Sequence, residues 1–499
     1  MYTEVWYSSN MSPLSEAIQE TLSEQTHFSD EEWVQTPKAV QEFVLSLIVH
    51  VQALEAEVGA LREQLNRNSR NSSKPPSSDG SEVPPKPRRR AKSGRKRGAQ
   101  PGHKGTTRKL VPIEQVKESY DVKPDVCCRC GCALVGEDPK PHRHQVTEIP
   151  PVVAEVTEYR IHTLACSECK AETRAKLPIG VSQGAFGPRL QSMVSLLSGR
   201  YHLSKRDTVD IMTDFFQANV SLGSVPALEQ RTSEVIRVPV DEAREYVKTQ
   251  SVVHMDETGW REANQKAWMW VAATTLVTVF LIRQSRGGKV TREMLDEAFK
   301  GIVVSDRWSA YNWLLTILRQ LCWAHLLRDF QAFVDRGGES QLIGAAILAQ
   351  ADSMFRWWHE VLDGTMSRAT FQEKMQTVQQ KVGELLRQGT ACNHSKTAGT
   401  CRDILKREEA LWTFVRVEGV EPTNNLGERQ VRPGVLWRKN SFGTQSEAGS
   451  RFAERIMTVV ATLKQQHRNV LDYLTEACDA ANWDRPAPSL LPGDAVIVG

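Results

Sequence analysis

The chain has 499 residues, 40% hydrophobic and 25% charged, which excludes a fibrous or wholly disordered protein and leaves room for roughly three or four domains. Its formal net charge of +3 conceals an asymmetry, because residues 86–109 carry 11 Lys and Arg and no acid. Taking those 11 from the chain's 63 basic residues leaves 52 against 60 acidic ones, so the positive charge sits in one short segment, as in a polyanion-binding arm.

The N-terminus lacks the basic stretch and apolar core of a secretory signal. The longest uncharged apolar run, residues 267–282, is short for a bilayer span and rich in Val and Thr, so a cytoplasmic protein without a membrane partner is expected. In region 1–66, apolar residues recur at Leu47, Val51, Leu54, Val58, Leu61 and Leu65. This heptad seam predicts a helix over 43–66 that either pairs with a second copy or packs on its own chain. Residues 67–112 are dominated by Ser, Asn and Pro and read as a disordered linker. The linker carries the basic arm, whose Arg88, Arg89, Arg90, Arg95, Lys96 and Arg97 are candidate phosphate contacts.

Six of the ten cysteines fall within 127–169. Cys127-x-x-Cys130 and Cys166-x-x-Cys169 form two knuckles, and alternating residues such as 152–166 between them read as strands. Four thiolates so spaced surround one structural Zn²⁺ tetrahedrally, so 113–175 is expected to be a zinc ribbon on Cys127, Cys130, Cys166 and Cys169. Cys128 and Cys132 are rival ligands, and a reduced, metal-free cluster is the plainer alternative. Residues 176–245 have helical periodicity punctuated by Gly199 and Ser204, which suits either a DNA-contacting helix-turn-helix or a plain bundle.

The segment 246–320 changes character. Residues 251–262 begin as a β-rich run that delivers Asp256 at its end, and 267–282 reads as two strands bent at 273–275. A short helix over 291–299 precedes an apolar strand that ends on Asp306. Two carboxylates at strand ends meet when those strands neighbour each other in a sheet. A third is offered by Glu428, near the head of a helix capped by Asn424 or Asn425, with Glu418, Glu421, Glu447 and Glu454 as rivals. Three such carboxylates repel one another unless divalent cations fill the gap. Two Mg²⁺ or Mn²⁺ ions about 3.5–4 Å apart would activate a water or a 3′-hydroxyl for in-line phosphoryl displacement, with Arg429 and Arg432 against the phosphates.

The motifs NSSKPPSSD (71–79), RGAQPGHKG (97–105), GRYHLSKR (199–206), HMDETGW (254–260), SDRWSAY (305–311), CWAHLLRDF (322–330), PTNNLGERQVRP (422–433) and RKNSFGTQSEAG (438–449) accompany the paired knuckles. In these the chain resembles, along nearly its whole length, the large transposases of the insertion-sequence family numbered sixty-six, in the DDE group. The resemblance implies a DNA transposase that binds the inverted repeats of its element, cuts 3′ ends and joins them to target DNA, in a bacterial, nucleoid-associated setting. It implies Asp256, Asp306 and Glu428 as the catalytic, Mg²⁺-holding acids and a site role for His325, with Cys322 beside it. It implies smaller accessory proteins as partners, while the homo-oligomer expected here rests on the heptad helix.

The architecture expected is multidomain α+β: an N-terminal coiled-coil helix, a zinc ribbon, a helical domain, and an RNase H-like α/β core. As the resemblance implies, that core runs over 246–320 and 421–480, is interrupted by an all-α insertion over 321–420, and leaves a tail over 481–499. Two rival functions are a domesticated, inactive transposase acting as a DNA-binding regulator and an RNase H-like nuclease that hydrolyses without joining. One departure stands out: family members usually carry Ala before the last acid, where this chain has Gly427, which costs roughly 1 kcal/mol of helix stability. Trp260, Trp308 and Trp323 flank the motifs and read as core packing ahead of base stacking.

Overall fold

The computed structural model of the chain describes residues 30–72 and 109–493, so the basic-arm candidates from Arg88 to Arg97 lie outside the described residues. Helices α1 (Asp30–Gln35) and α2 (Lys38–Leu65) come first. Two three-residue strands, β1 (Thr163–Ala165) and β2 (Glu172–Arg174), form an antiparallel pair. Four helices follow: α3 (Pro188–Gly199), α4 (Lys205–Phe216), α5 (Ser224–Val235) and α6 (Arg237–Lys248). Gly199 closes α3, and the Ser204 hydroxyl accepts the Asp207 N–H to cap α4, as their punctuation predicts.

The main sheet is built from β3 (Val252–Glu262), β4 (Gln265–Ala273), β5 (Thr278–Arg283), then β6 (Ile302–Ser305) after α7 (Gly288–Leu295), and β7 (Arg319–Leu321). Helices α8 (Trp323–Arg336), α9 (Gly338–Leu362), α10 (Arg368–Thr390), α11 (Ser395–Leu405) and the single turn α12 (Thr413–Arg416) come next. The chain closes with α13 (Asn425–Ser441), α14 (Glu447–Gln465) and α15 (Val470–Asn482). The protein is therefore mixed α/β, with helical and sheet parts separated along the chain. Among the described residues it divides into two compact units, one of 30–72 with Ala324–Glu408, the other of 109–323 with 409–493.

The helical unit buries Phe330, Phe333, Ile347, Met354, Phe371 and Leu386 between α8, α9, α10 and α11. Helix α2 joins it through Glu63, which pairs with Arg336 at 3.1 Å and with Lys396. Burial alone would raise the Glu63 carboxyl, but hydrogen bonds from those two cations outweigh it and hold it below its ordinary value. The heptad seam of α2 faces outward, every one of its six apolar residues at least 45% exposed. By length and composition α2 is also apolar enough to cross a bilayer.

In the sheet unit the strand order is β5-β4-β3-β6-β7, with β3, β4 and β5 antiparallel and β6 and β7 parallel to β3. The run read as two strands is β4 and β5, bent at Thr274. Its continuous hydrophobicity reflects burial on both faces, because every residue from Val271 to Ala273 and from Thr278 to Ile282 is buried. The edge strand β5 is closed by α14: the Thr278 and Phe280 amides donate to the Thr462 and Thr458 hydroxyls, each at 3.1 Å, and the Ile282 amide donates to the Glu454 carboxylate. Four residues of helix rise about 6 Å and two residues of strand about 6.7 Å, so a helix laid antiparallel along a strand edge keeps step with every second amide. Far from this edge, Gly443 at φ +130° lets the chain pass the backbone of Arg261, whose carbonyl O would lie 2.2 Å from a Cβ there.

The knuckle segment differs from its expected strands. Residues 146–162 form no strand, and β1 and β2 are exposed throughout. Alternation here has no second layer to bury one face against, and without burial it does not dictate a ladder.

Candidate active site

The parallel pairing of β3 with β6 ends at His254↔Val304, while β3 runs on to Glu262 paired with β4 alone. Asp256 thus lies mid-strand and not at a strand end as its sequence suggests, but it stands two residues beyond the last β6 pair. Asp306 stands two residues beyond the same pair on the other strand. The 50-residue spacing of the two acids is the register offset of the two strands. The Glu257 N–H donates to Asp256 Oδ1 at 2.8 Å, and the Trp308 N–H donates to Asp306 Oδ1 at 2.9 Å. Burial first, then the charges of Glu257, Asp306 and Glu428, push the Asp256 carboxyl well above the usual carboxylate range.

Glu428 sits in the first turn of α13. Asn424 is the N-cap residue, but its side chain does not cap the helix. Buried, it reaches the sheet: Asn424 Nδ2 donates to the Met255 carbonyl at 2.7 Å, and Oδ1 lies 3.1 Å from His254 Nδ1. Its backbone N–H reaches Cys322 Sγ at 3.1 Å, and its carbonyl accepts the Glu428 N–H at 3.0 Å. Cys322 in turn donates its N–H to the Ser305 carbonyl, next to Asp306. One asparagine and one cysteine thereby tie the head of α13 to the neighbours of both aspartates. Gly427 makes room for this: a Cβ there would lie 2.7 Å from Asn424 Oδ1.

A fourth carboxylate was not anticipated. Glu257, its side chain only 2% exposed, takes two bonds from Arg286, at 2.8 and 2.9 Å, and one from the Tyr311 hydroxyl at 3.2 Å. Burial, then the charge of Asp306, push it up to about 7 despite the Arg286 partner. The Arg286 guanidinium is held between the Trp268 and Trp308 rings, 4.6 and 3.9 Å from their centroids. The available signal was adjacency: an acid next to Asp256 at the point where β3 loses its β6 partner. Of the three tryptophans, Trp260 and Trp323 are core residues, and Trp308 is the partly exposed lid on Arg286.

The rival acids lie elsewhere in role. Glu454 is fully buried against Arg451, Arg283 and Arg244 at 3.1 to 3.5 Å. Glu418, Glu421 and Glu447 are exposed. His325 is half-buried in the first turn of α8, within the helical unit. Arg429 and Arg432 are exposed on α13.

The two cysteine knuckles share one backbone design. In each, the first cysteine donates its N–H to the carbonyl five residues on (Cys127 to Cys132, Cys166 to Ala171) and accepts from the N–H four residues on. Gly131 at φ +71° and Lys170 at φ +63° occupy the same turn position. Backbone N–H groups aimed at the first sulfur hold the Cys127 and Cys166 thiols below their ordinary value. Among the described residues, no three of the four candidate sulfurs lie within 4.8 Å of one another.

Comparison with known proteins places these features in context. A family model described as Transposase IS66 family matches residues 183–452, more than half of the chain and all three acids. A second model, of a family of unknown function, matches residues 4–109. An uncharacterized protein of Sinorhizobium fredii (strain NBRC 101917 / NGR234), y4qI, is 30% identical over 248 residues, 45% of this chain and 46% of that one. The chain thus spans about half the length of the curated relative it matches.

Proposed function

The chain belongs to the Transposase IS66 family, and from that membership we propose that it is a DNA transposase that binds the ends of its element, cuts their 3′ strands and joins them to target DNA. The observation that supports this reading is the register of β3 and β6, by which Asp256 and Asp306 stand two residues beyond the same pair, with the head of α13 hydrogen-bonded through Asn424 to Met255 and Cys322. The strand order, three antiparallel strands flanked by two parallel ones, supports an RNase H-like core.

Crowded carboxylates are a donor set suited to hard divalent cations, and Asp256, Asp306 and Glu428 would hold Mg²⁺ or Mn²⁺. Such ions, when bound, supply an activated water or 3′-hydroxyl and charge neutralisation at the leaving oxygen. The chain's own part is positioning. Asn424 and Cys322 fix the distance of Glu428 from the strands. Arg286, held between two indoles, offsets the charge of the fourth carboxylate, Glu257. Arg429, Arg432 and the basic arm meet phosphates. Cys127, Cys130, Cys166 and Cys169 would hold one structural Zn²⁺ between the two knuckles, and the α2 seam pairs protomers. Accessory transposition proteins complete the set of partners.

Asp256→Ala and Asp306→Ala are expected to abolish Mg²⁺-dependent cleavage of labelled element ends while leaving end binding near wild type. Undiminished cleavage by either variant would sink the reading. Cleavage without any joined product by the wild type would favour the nuclease alternative.

A further inference from the structure

The sheet unit contains a cavity of about 660 Å³ between the end of α3, α13 and α14. Its rim carries Arg200, Arg429 and Lys464, and no acidic residue lines it. Other cations of this unit serve buried acids, as Arg244, Arg283 and Arg286 do at Glu454 and Glu257. The three rim cations have no carboxylate partner among the described residues. Three like charges around one concavity repel one another, and an anion relieves that repulsion. The floor is apolar, made by Phe280, Met457 and Val460. His202 completes the wall, its ring 5.0 Å from that of Trp437 and its Nδ1 buried without a hydrogen-bond partner.

A ligand matching this lining joins a flat apolar body to an anionic group and presents a polar edge to a histidine. The volume lies in the ordinary range for a small-molecule-sized guest, roughly 300–1,000 Å³. Arg429 follows Glu428 directly on α13, so one helix contributes both to this lining and to the acids. The segment 199–206 otherwise has no role in the site, and it supplies Gly199, Arg200 and His202 to this wall.

We propose that this cavity seats one unpaired nucleotide of the DNA strand, its base on the Phe280–Met457–Val460 floor and its phosphates against Arg200, Arg429 and Lys464. The proposal rests on the transposase reading for the identity of the strand. Bases stack on apolar and aromatic side chains whatever their sequence, and phosphates add a salt-dependent attraction.

The test uses the full chain without added divalent cation, a labelled single-stranded oligothymidine, and a blunt duplex of equal length. Arg200→Ala/Lys464→Ala is expected to weaken single-strand binding about tenfold and to make the slope of log K against log salt shallower by about 1.4, two contacts at roughly 0.7 each. Ala461→Trp, which fills the cavity, is expected to weaken the same binding with an unchanged circular dichroism spectrum. Blunt-duplex affinity should stay within about twofold for both. Wild-type single-strand affinity or slope in the double variant overturns the proposal, as does equal loss on the blunt duplex. Deoxythymidine monophosphate competing as well as the oligomer would replace the strand by a free nucleotide and also overturn it. Asp256→Ala should bind the oligomer normally, so the cleavage reading and the cavity fail separately.

Discussion

Gly427 looks like a weakness when only helix propensity is considered, since alanine would add roughly 1 kcal/mol to α13. Its surroundings reverse the sign. A Cβ at 2.7 Å from Asn424 Oδ1 and 2.8 Å from Nδ2 forces the amide off Met255 and His254. Losing the partners of a buried polar group costs about 1–3 kcal/mol, which exceeds the helical gain. Gly427→Ala is therefore expected to lower the urea midpoint of the sheet unit and to slow cleavage, by moving Glu428. Removing the obstacle with Asn424→Ala in the Gly427→Ala background should not restore activity, because the tie to β3 is gone. A higher midpoint for the single variant, with full activity, would show that Asn424 has room to move. None of this is readable from composition. Asn424 looks like a helix cap in sequence, and only the sheet beneath it gives the side chain another partner. Glu257 is half legible in the same way: its adjacency to Asp256 marks it as an acid of the site, while its partners Arg286 and Tyr311 lie 29 and 54 residues away and no local pattern announces them.

Helix α14 shows how an element is specified by what it lies against. Its positions 454, 458 and 462 are Glu, Thr and Thr, polar residues on a face that is fully buried. Read alone they interrupt an amphipathic pattern; beside β5 they are acceptors for edge amides. Thr458→Val keeps the shape and removes the acceptor for the Phe280 N–H, so it should destabilise the unit by about 1–3 kcal/mol, with Thr458→Ser restoring most of the loss. Equal midpoints for valine and wild type would mean the amide finds another partner. The knuckles are specified differently. Their sequence spacing marks two matched turns, yet of the stretch 152–166 between them only Thr163–Ala165 forms a strand, because no core covers the rest. A metal is expected to do what packing does not. Elemental analysis of chelator-free protein should find about one zinc per chain, and Cys130→Ser/Cys169→Ser should lose it. Retained zinc in that variant would move the site to Cys128 and Cys132.

At the scale of the whole molecule, period and spacing carried the sheet: continuous apolar runs gave β4 and β5, and the two aspartates' separation proved to be a strand register. What sequence order hides is which distant segments share a unit. Residues 30–72 fold with Ala324–Glu408 because Glu63 meets Arg336 and Lys396, an ion pair between segments more than 260 residues apart that no local pattern announces. That attachment uses one side of α2 and leaves the heptad seam exposed. Six apolar residues at alternating four- and three-residue spacing match the seam of a two-stranded coiled coil, and each buried aliphatic side chain contributes about 1.5–3 kcal/mol. The partner that fits the repeat is a second copy of the same helix. The full chain should therefore sediment as a concentration-dependent oligomer in the micromolar range, and Val51→Glu/Val58→Glu should weaken association at least about tenfold without changing the melting of the sheet unit. A wild-type chain that stays monomeric at high concentration, in detergent-free buffer, would assign the seam to some other surface.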